Sequence, residues 1–260
     1  LQASPRARMA LTAEALDALE LGVPVPCEAV PRLDDAIEHL RRHGVVEALE
    51  LHAVARTLAV ARTLRSYARD RRDELPRLGE VLTSSPRLEA LREALDAAID
   101  EHGQVRDGAS PELRQARRRL SGARKALMDT LGRLAARHAD VLREGGWVER
   151  DGRFGLPVRA DAHRRVEGIV VGTSATGATL YVEPPEVTRL CNSLTLAEAE
   201  VEREVARIVA ELSTRVAGEV DDVATAYEAC VVADLLAALS RWAEVGRCKA
   251  VVVDEEPLVD

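Results

Sequence analysis

Aromatic side chains are scarce in this 260-residue chain: Tyr67, Trp147, Phe154, Tyr181, Tyr227 and Trp242 are the whole set. Six rings cannot make base stacking the main mode of binding a single-stranded nucleic acid. The four cysteines, Cys27, Cys191, Cys230 and Cys248, lie far apart and form no CxxC pair. That spacing argues against a zinc or redox site and fits buried thiols in a reducing, cytoplasmic compartment. No run approaches the roughly 20 apolar residues of a membrane helix, and no basic flank with an apolar core marks a signal peptide. The expectation is therefore no membrane partner.

Catalytic motifs are missing too. The sequence contains no GxxxxGK[ST] phosphate loop, no GxGxxG and no GxSxG, and its six histidines have no HExxH spacing. His39 and His43 are four apart but sit beside Arg41 and Arg42, a solvated setting rather than a metal site. The expectation is a binding or mechanical module with no catalytic residue, metal or cofactor of its own.

What is present is helix-forming composition. Apolar residues make up 47% and charged residues 31% of the chain, and the net charge is −8. The apolar fraction excludes a disordered chain, and the acidic balance argues against a general polyanion binder. The apolar spacing predicts helices over Leu11–Leu21, Leu33–Arg42, Val46–Asp73 and Leu88–Ile99, with a short one between Pro76 and Pro86. Ser110, Pro111 and Glu112 are an N-cap, a first-turn proline and a dipole-complementing acid. The helix they open is predicted to reach about Arg143, some 33 residues or about 50 Å. Its seam is Leu113, Ala116, Leu120, Ala123, Leu127, Leu134 and Val141, with lapses at Thr130 and Arg137.

Past Gly145 and Gly146 the period shortens toward two. Strands are predicted at Trp147–Arg150, Phe154–Arg159, Val166–Gly172 and Thr179–Glu183, with Asp151-Gly152 as a hairpin turn. Helix returns from Asn192 to Val216, with a heptad-like seam, and from Val220 to Val245; Val251–Val253 reads as a strand. The fold class expected is mainly α, a helical core with a long antiparallel helical pair carrying a small β-rich module at its tip. The domain boundaries follow: 1–110 core, 111–145 ascending helix, 146–187 β module, 188–250 descending helix and return, 251–260 an outgoing connection.

Charge is unevenly placed. From Glu112 to Arg137 eight basic residues face two acidic ones, and from Glu198 to Glu211 five acidic residues face two basic ones. Opposite charges along a seam select a partner helix; a stripe of Arg114, Arg117, Arg118 and Lys125 also suits phosphate contact. Both readings stand at this point. On the β module, Arg150, Arg153, Arg159, His163, Arg164 and Arg165 make a locally positive tip. The Gly168–Pro184 stretch clusters Thr173, Ser174, Thr176 and Thr179 around Gly172 and Gly177. It reads either as a plain hairpin or as an anion-binding loop in which Ser174 and Thr176 assist the arginines.

These segments also carry a family resemblance. Arg150–Arg159 (RDGRFGLPVR), Gly168–Pro184, and Leu190–Leu194 (LCNSL) resemble the ordered motifs of the second bacterial MutS family, the mismatch-independent MutS paralogue. Upstream, Asp100–Leu113 and Glu50–Leu58 resemble its I-D-x-x-G and E-L-x-x-I-A elements. The likeness runs from about Gly22 to Asp254. Phe154 stands for the family's usual Tyr, Thr176 for Ser, and Gly172-Thr173 for His-Asp. The resemblance implies a lever and clamp region of a longer parent, with a helical segment before Gly22 and an ATPase after Asp260. It implies ATP and Mg²⁺ as that parent's cofactors, homodimerisation through the ATPase, and usually a nuclease. It implies branched or recombination-intermediate DNA as partner and an anti-recombination role, or alternatively a collided ribosome to be split. A purely structural coiled-coil scaffold is the third reading.

Overall fold

The computed structural model describes residues 5–143, 145–150 and 152–246, which form two compact units, residues 5–106 with 209–246 and residues 107–208. The expected strand at Val251–Val253 and the 251–260 connection lie outside the described residues.

The first unit is helical. It holds α1 (Pro5–Glu20), α2 (Asp34–Arg41), α3 (Ala48–Asp70), α4 (Pro76–Val81), α5 (Leu88–Ala98), the last part of α7 (Pro185–Gly218) and α8 (Val220–Gly246). The first helix starts earlier than its apolar residues predict. The others fall within a few residues of the expected bounds. α3 is the central element because one face buries Leu51, Val54, Leu58, Ala61 and Leu64. It packs on α4, α5 and α8. α8, which packs on α3, buries the small side chains Ala226, Ala229, Cys230, Ala233 and Ala237. Cys230 Sγ lies 3.7 Å from the Thr57 carbonyl, and burial pushes its thiol up to about 12. α8 is long and apolar enough to cross a membrane by length and composition, with mean hydropathy 1.5. It packs on α1, α2 and α3, with 44% of that apolar stretch buried.

Polar groups close the helix ends. Glu14 of α1 accepts the Arg77 and Leu78 N–H groups at 3.2 and 2.9 Å, occupying the start of α4 where Pro76 has no N–H to offer. Glu50 accepts from the Glu47 N–H at 2.8 Å. After α5, Ile99 bridges to Val105, and the Asp100 carboxylate accepts the His102 and Gln104 N–H groups at 2.9 and 2.8 Å. Gly103 sits at φ +73, where a Cβ would lie 2.9 Å from Leu49 Cα. The I-D-x-x-G element is thus a tight turn with structural work for each of its fixed residues.

The second unit is built from α6 (Pro111–Arg137), the start of α7, and a four-stranded antiparallel sheet of order β1-β2-β4-β3. Its strands are β1 (Val148–Arg150), β2 (Arg153–Arg159), β3 (Ile169–Thr173) and β4 (Thr179–Glu183). Ser110 caps α6, its Oγ accepting the Leu113 N–H at 2.9 Å. The helix ends at Arg137, not at Arg143. The reason is non-local: Arg143 N–H donates to the Pro157 carbonyl (2.9 Å) and Arg159 N–H to the Val141 carbonyl (3.0 Å), so 141–143 pair with β2. α7 starts seven residues before the expected Asn192, because Pro185 opens the helix instead of closing the strand. β3 begins late because Val166 caps a 3-10 turn over Ala160–Arg165.

The sheet buries Phe154, Leu156, Val158 and Val182 with Leu127, Leu131 and Leu134 of α6 and Val187 and Leu194 of α7. Along the expected seam, Leu113, Ala116, Leu127 and Leu134 are buried. Leu120, Ala123, Val201 and Val205 are only half-buried. Thr130, expected as a lapse, is buried, as are the off-seam Leu131 and Ala135. The seam is therefore not a continuously buried coiled coil.

Two outcomes test this packing. Ala233→Leu puts three extra carbons where α8 is closely packed, and urea unfolding should show a loss of about 1–3 kcal/mol. Backbone N–H bonds from Gln104 and His102 hold the Asp100 carboxyl below its ordinary value. A depressed acid stabilises the fold above the usual carboxylate range and loses that contribution as pH falls through its folded value. The stability gap between the chain and its Asp100→Asn variant should therefore close as pH drops below about 4.

Candidate nucleic-acid interface

The basic residues of α6 divide into two groups. Arg119 pairs with Glu200 at 2.6 Å, Arg124 with Glu198 at 3.9 Å, and Glu112 with Arg207 at 3.9 Å. Partner numbers fall along α7 as they rise along α6, so the two helices run antiparallel past each other. Exposed pairs contribute about 0.2–1 kcal/mol each, so they set register more than stability. In the stripe Arg114, Arg117, Arg118 and Lys125, Arg117 is tied to Asp107. Arg114, Arg118 and Lys125 are exposed and make no ion pair among the described residues. Their spacings of four and seven place them on the helix face opposite Leu113, Leu120 and Leu127. Both readings of the basic run thus have residues of their own.

The expected tip residues have different local partners. Arg153 Nε lies 2.8 Å from Glu183 Oε2, an ion pair whose N–H is not aligned on the oxygen. Glu183 is 1% exposed, so Arg153 is the neutralising partner of a buried carboxylate. Burial and the same Glu183 charge push the Cys191 thiol up. Arg159 pairs with Asp161 at 3.5 Å, and Arg165 with Asp140 at 2.6 Å. His163 is half-buried, its Nδ1 2.9 Å from the Ala160 carbonyl. Arg164 is exposed with no ion pair among the described residues. Ser174 is occupied by the β3–β4 turn: its Oγ accepts the Thr179 N–H (3.1 Å), its N–H reaches the Thr179 carbonyl (2.9 Å), and its carbonyl accepts from Gly177 (2.9 Å). Thr176 is exposed, 3.5 Å from Ser174 through their hydroxyls. The Ser-Ala-Thr-Gly stretch is a hairpin whose hydroxyls satisfy the turn.

Arg150, counted in the positive tip, and Arg143, which the sequence did not single out, are also exposed on this module. The Arg150 guanidinium lies 4.5 Å above the Tyr181 ring centroid. The signal for them was weak: Arg150 and Arg153 flank the Asp151-Gly152 turn as a cross-strand pair, but Tyr181 joins them only once β4 is registered on β2.

The arrangement is that of a mainly helical protein in which two antiparallel, ion-paired helices cover one face of a small arginine-rich sheet. Comparison with protein-family models gave no match. Curated relatives do match. The chain is 36% identical over 252 residues to Endonuclease MutS2 of Gemmatimonas aurantiaca, covering 93% of this chain and 30% of the relative. It is 35% identical over 231 residues to Endonuclease MutS2 of Pelotomaculum thermopropionicum, covering 87% of this chain and 29% of the relative. It is 32% identical over 260 residues to Endonuclease MutS2 of Symbiobacterium thermophilum, covering 97% of this chain and 32% of the relative. The chain belongs to the MutS2 family as a partial region, spanning about three tenths of the length of the curated relatives it matches.

The Arg153–Glu183 pair makes a direct prediction. Arg153→Ala leaves a buried carboxylate unpaired and should cost about 3 kcal/mol or more in urea unfolding. Adding Glu183→Gln should recover most of that loss.

Proposed function

We propose that this chain is the nucleic-acid-binding lever and clamp region of a MutS2-like, ATP-dependent DNA-processing protein. α6 and α7 serve as the lever and the sheet module as the clamp. Duplex or junction DNA is the partner, and the parent acts on recombination intermediates. The observation that carries the reading is charge placement. Residues 107–208 hold 17 basic side chains against 15 acidic ones, a net of +2, in a chain whose net charge is −8. A near-neutral unit with exposed arginines, set in an acidic chain, is where phosphate contact is least opposed by charge.

The relatives are named endonucleases, so ATPase and nuclease chemistry is assigned to the remainder of a longer parent, with ATP and Mg²⁺ as its cofactors. The 260 residues carry no phosphate loop to hold them. Two such regions, joined through the ATPase of a homodimer, would enclose the substrate. Enclosure raises effective concentration, so a single copy binds weakly.

Arg159 and Arg164 are the principal phosphate contacts in this reading, with Arg165 released from Asp140 on binding. Reversing all three to Glu should weaken DNA binding and lower the slope of log affinity against log salt by about three, near 0.9 for each phosphate no longer neutralised. Unchanged affinity and slope would remove the assignment. Binding confined to ribosomes would replace DNA as the partner.

A further inference from the structure

The outer face of the sheet differs from the face that packs on the helices. Register pairs Pro157 with Tyr181 and Tyr181 with Gly172, so these three share the side opposite Leu156 and Val182. Long side chains lie across this side. Arg150 lies flat over Tyr181, its guanidinium carbon 4.5 Å from the ring centroid and Nη1 3.5 Å from the Thr173 carbonyl. Two glycines lie in ordinary contact range of the stack. A Cβ at Gly172 would sit 3.5 Å from both Arg150 Nη1 and Tyr181 Cδ2, and one at Gly155 would sit 3.5 Å from Tyr181 Cβ. Arg143 borders the same face: its N–H bonds the Pro157 carbonyl, and its Nη1 is 3.5 Å from the Ala178 carbonyl. Arg159 stands opposite Thr179, two residues before Tyr181 on the neighbouring strand.

We infer that this outer face, Arg143, Arg150 and Arg159 around Tyr181, is the surface on which the module seats a nucleic-acid sugar-phosphate backbone. The inference rests on the nucleic-acid reading above and names its contact surface. Three arginines from three segments converge on one face. Among the described residues on this face, Asp161 is exposed and 3.5 Å from Arg159, and Glu183 is buried and neutralised by Arg153. Arginine's planar fork matches two phosphate oxygens at once. Stacking on Tyr181 holds the Arg150 fork in one orientation before binding, which lowers the ordering cost when a phosphate arrives. A four-stranded sheet is about 15 Å across, wide enough to meet several phosphates of a backbone carrying one charge per about 1.7 Å of duplex. Glycine at 155 and 172 keeps the surface low enough for close approach. The chemistry is shared by DNA and RNA backbones, so the test includes both.

The 260-residue chain is titrated with duplex DNA and with duplex RNA of equal length over a salt series. Arg143→Glu with Arg150→Glu should weaken binding at least about tenfold and lower the salt slope by about two. Tyr181→Leu should weaken it about two- to threefold, and Tyr181→Phe, which keeps the ring, should not. Matching thermal melts of each variant separate binding from folding, and Arg72→Glu with Arg87→Glu, both exposed in the first unit, is the charge-matched control. Stronger loss on DNA than on RNA names the source of the backbone. If the Arg143/Arg150 pair leaves affinity and slope unchanged while the Arg159, Arg164 and Arg165 reversal abolishes binding, the outer face is rejected and the nucleic-acid function stands. Equal loss with the first-unit control also rejects it, as a mere charge effect. If the unmodified chain binds neither nucleic acid, the function falls and the inference with it.

Discussion

A sheet of four short strands has two faces and only enough apolar residues for one. That constraint organises the second unit. Phe154, Leu156, Val158 and Val182 need a dry partner, and Leu127, Leu131 and Leu134 of α6 with Val187 and Leu194 of α7 provide it. A strand pair alone is marginal in water, so the module depends on its flanking helices. The opposite face is only partly open to solvent: Pro157, Thr179 and Glu183 are buried on it, under arginine stems and a half-buried Tyr181 that keep charge at the surface. The basic surface is a consequence of one-sided helix packing as much as a choice of function.

The helices are held in register by a different force. Ion pairs between Glu112 and Arg207, Arg119 and Glu200, and Arg124 and Glu198 line up α6 with α7. Between the sheet-covered end and the buried Leu113 and Ala116, the packing is half-open at Leu120, Ala123, Val201 and Val205. Stability is therefore concentrated at the ends, and the middle is the least protected stretch of the pair. The first unit is tied by the packing of α8 on α3, with Glu14 holding the start of α4.

Sequence patterning was enough where the determinants are local. Ser110 and Pro111 place the start of α6, Thr179–Glu183 is the strand its alternation predicts, and the mainly helical class follows from composition. It failed where distant pairing decides. Nothing between Arg137 and Arg143 stops a helix; Val141–Arg143 leaves it because β2 offers backbone partners that a helix reading cannot see. Pro184-Pro185 reads as an end of β structure, and only the fold shows Pro185 as a helix start. The same holds for the site. Charge counting found a positive module, but Arg153 is consumed by buried Glu183 and Ser174 by its own turn. Arg143, Arg150 and Tyr181 come together only through strand register.

The central claim is that a near-neutral unit with exposed arginines, within an acidic MutS2-family region, meets a nucleic-acid backbone. The most direct measurement is a binding titration of the unmodified 260-residue chain against duplex DNA, four-way junction DNA and ribosomes, each at two salt concentrations. The account predicts DNA binding, stronger for the junction, that weakens steeply as salt rises. Binding that is absent, or that does not change with salt, would contradict it.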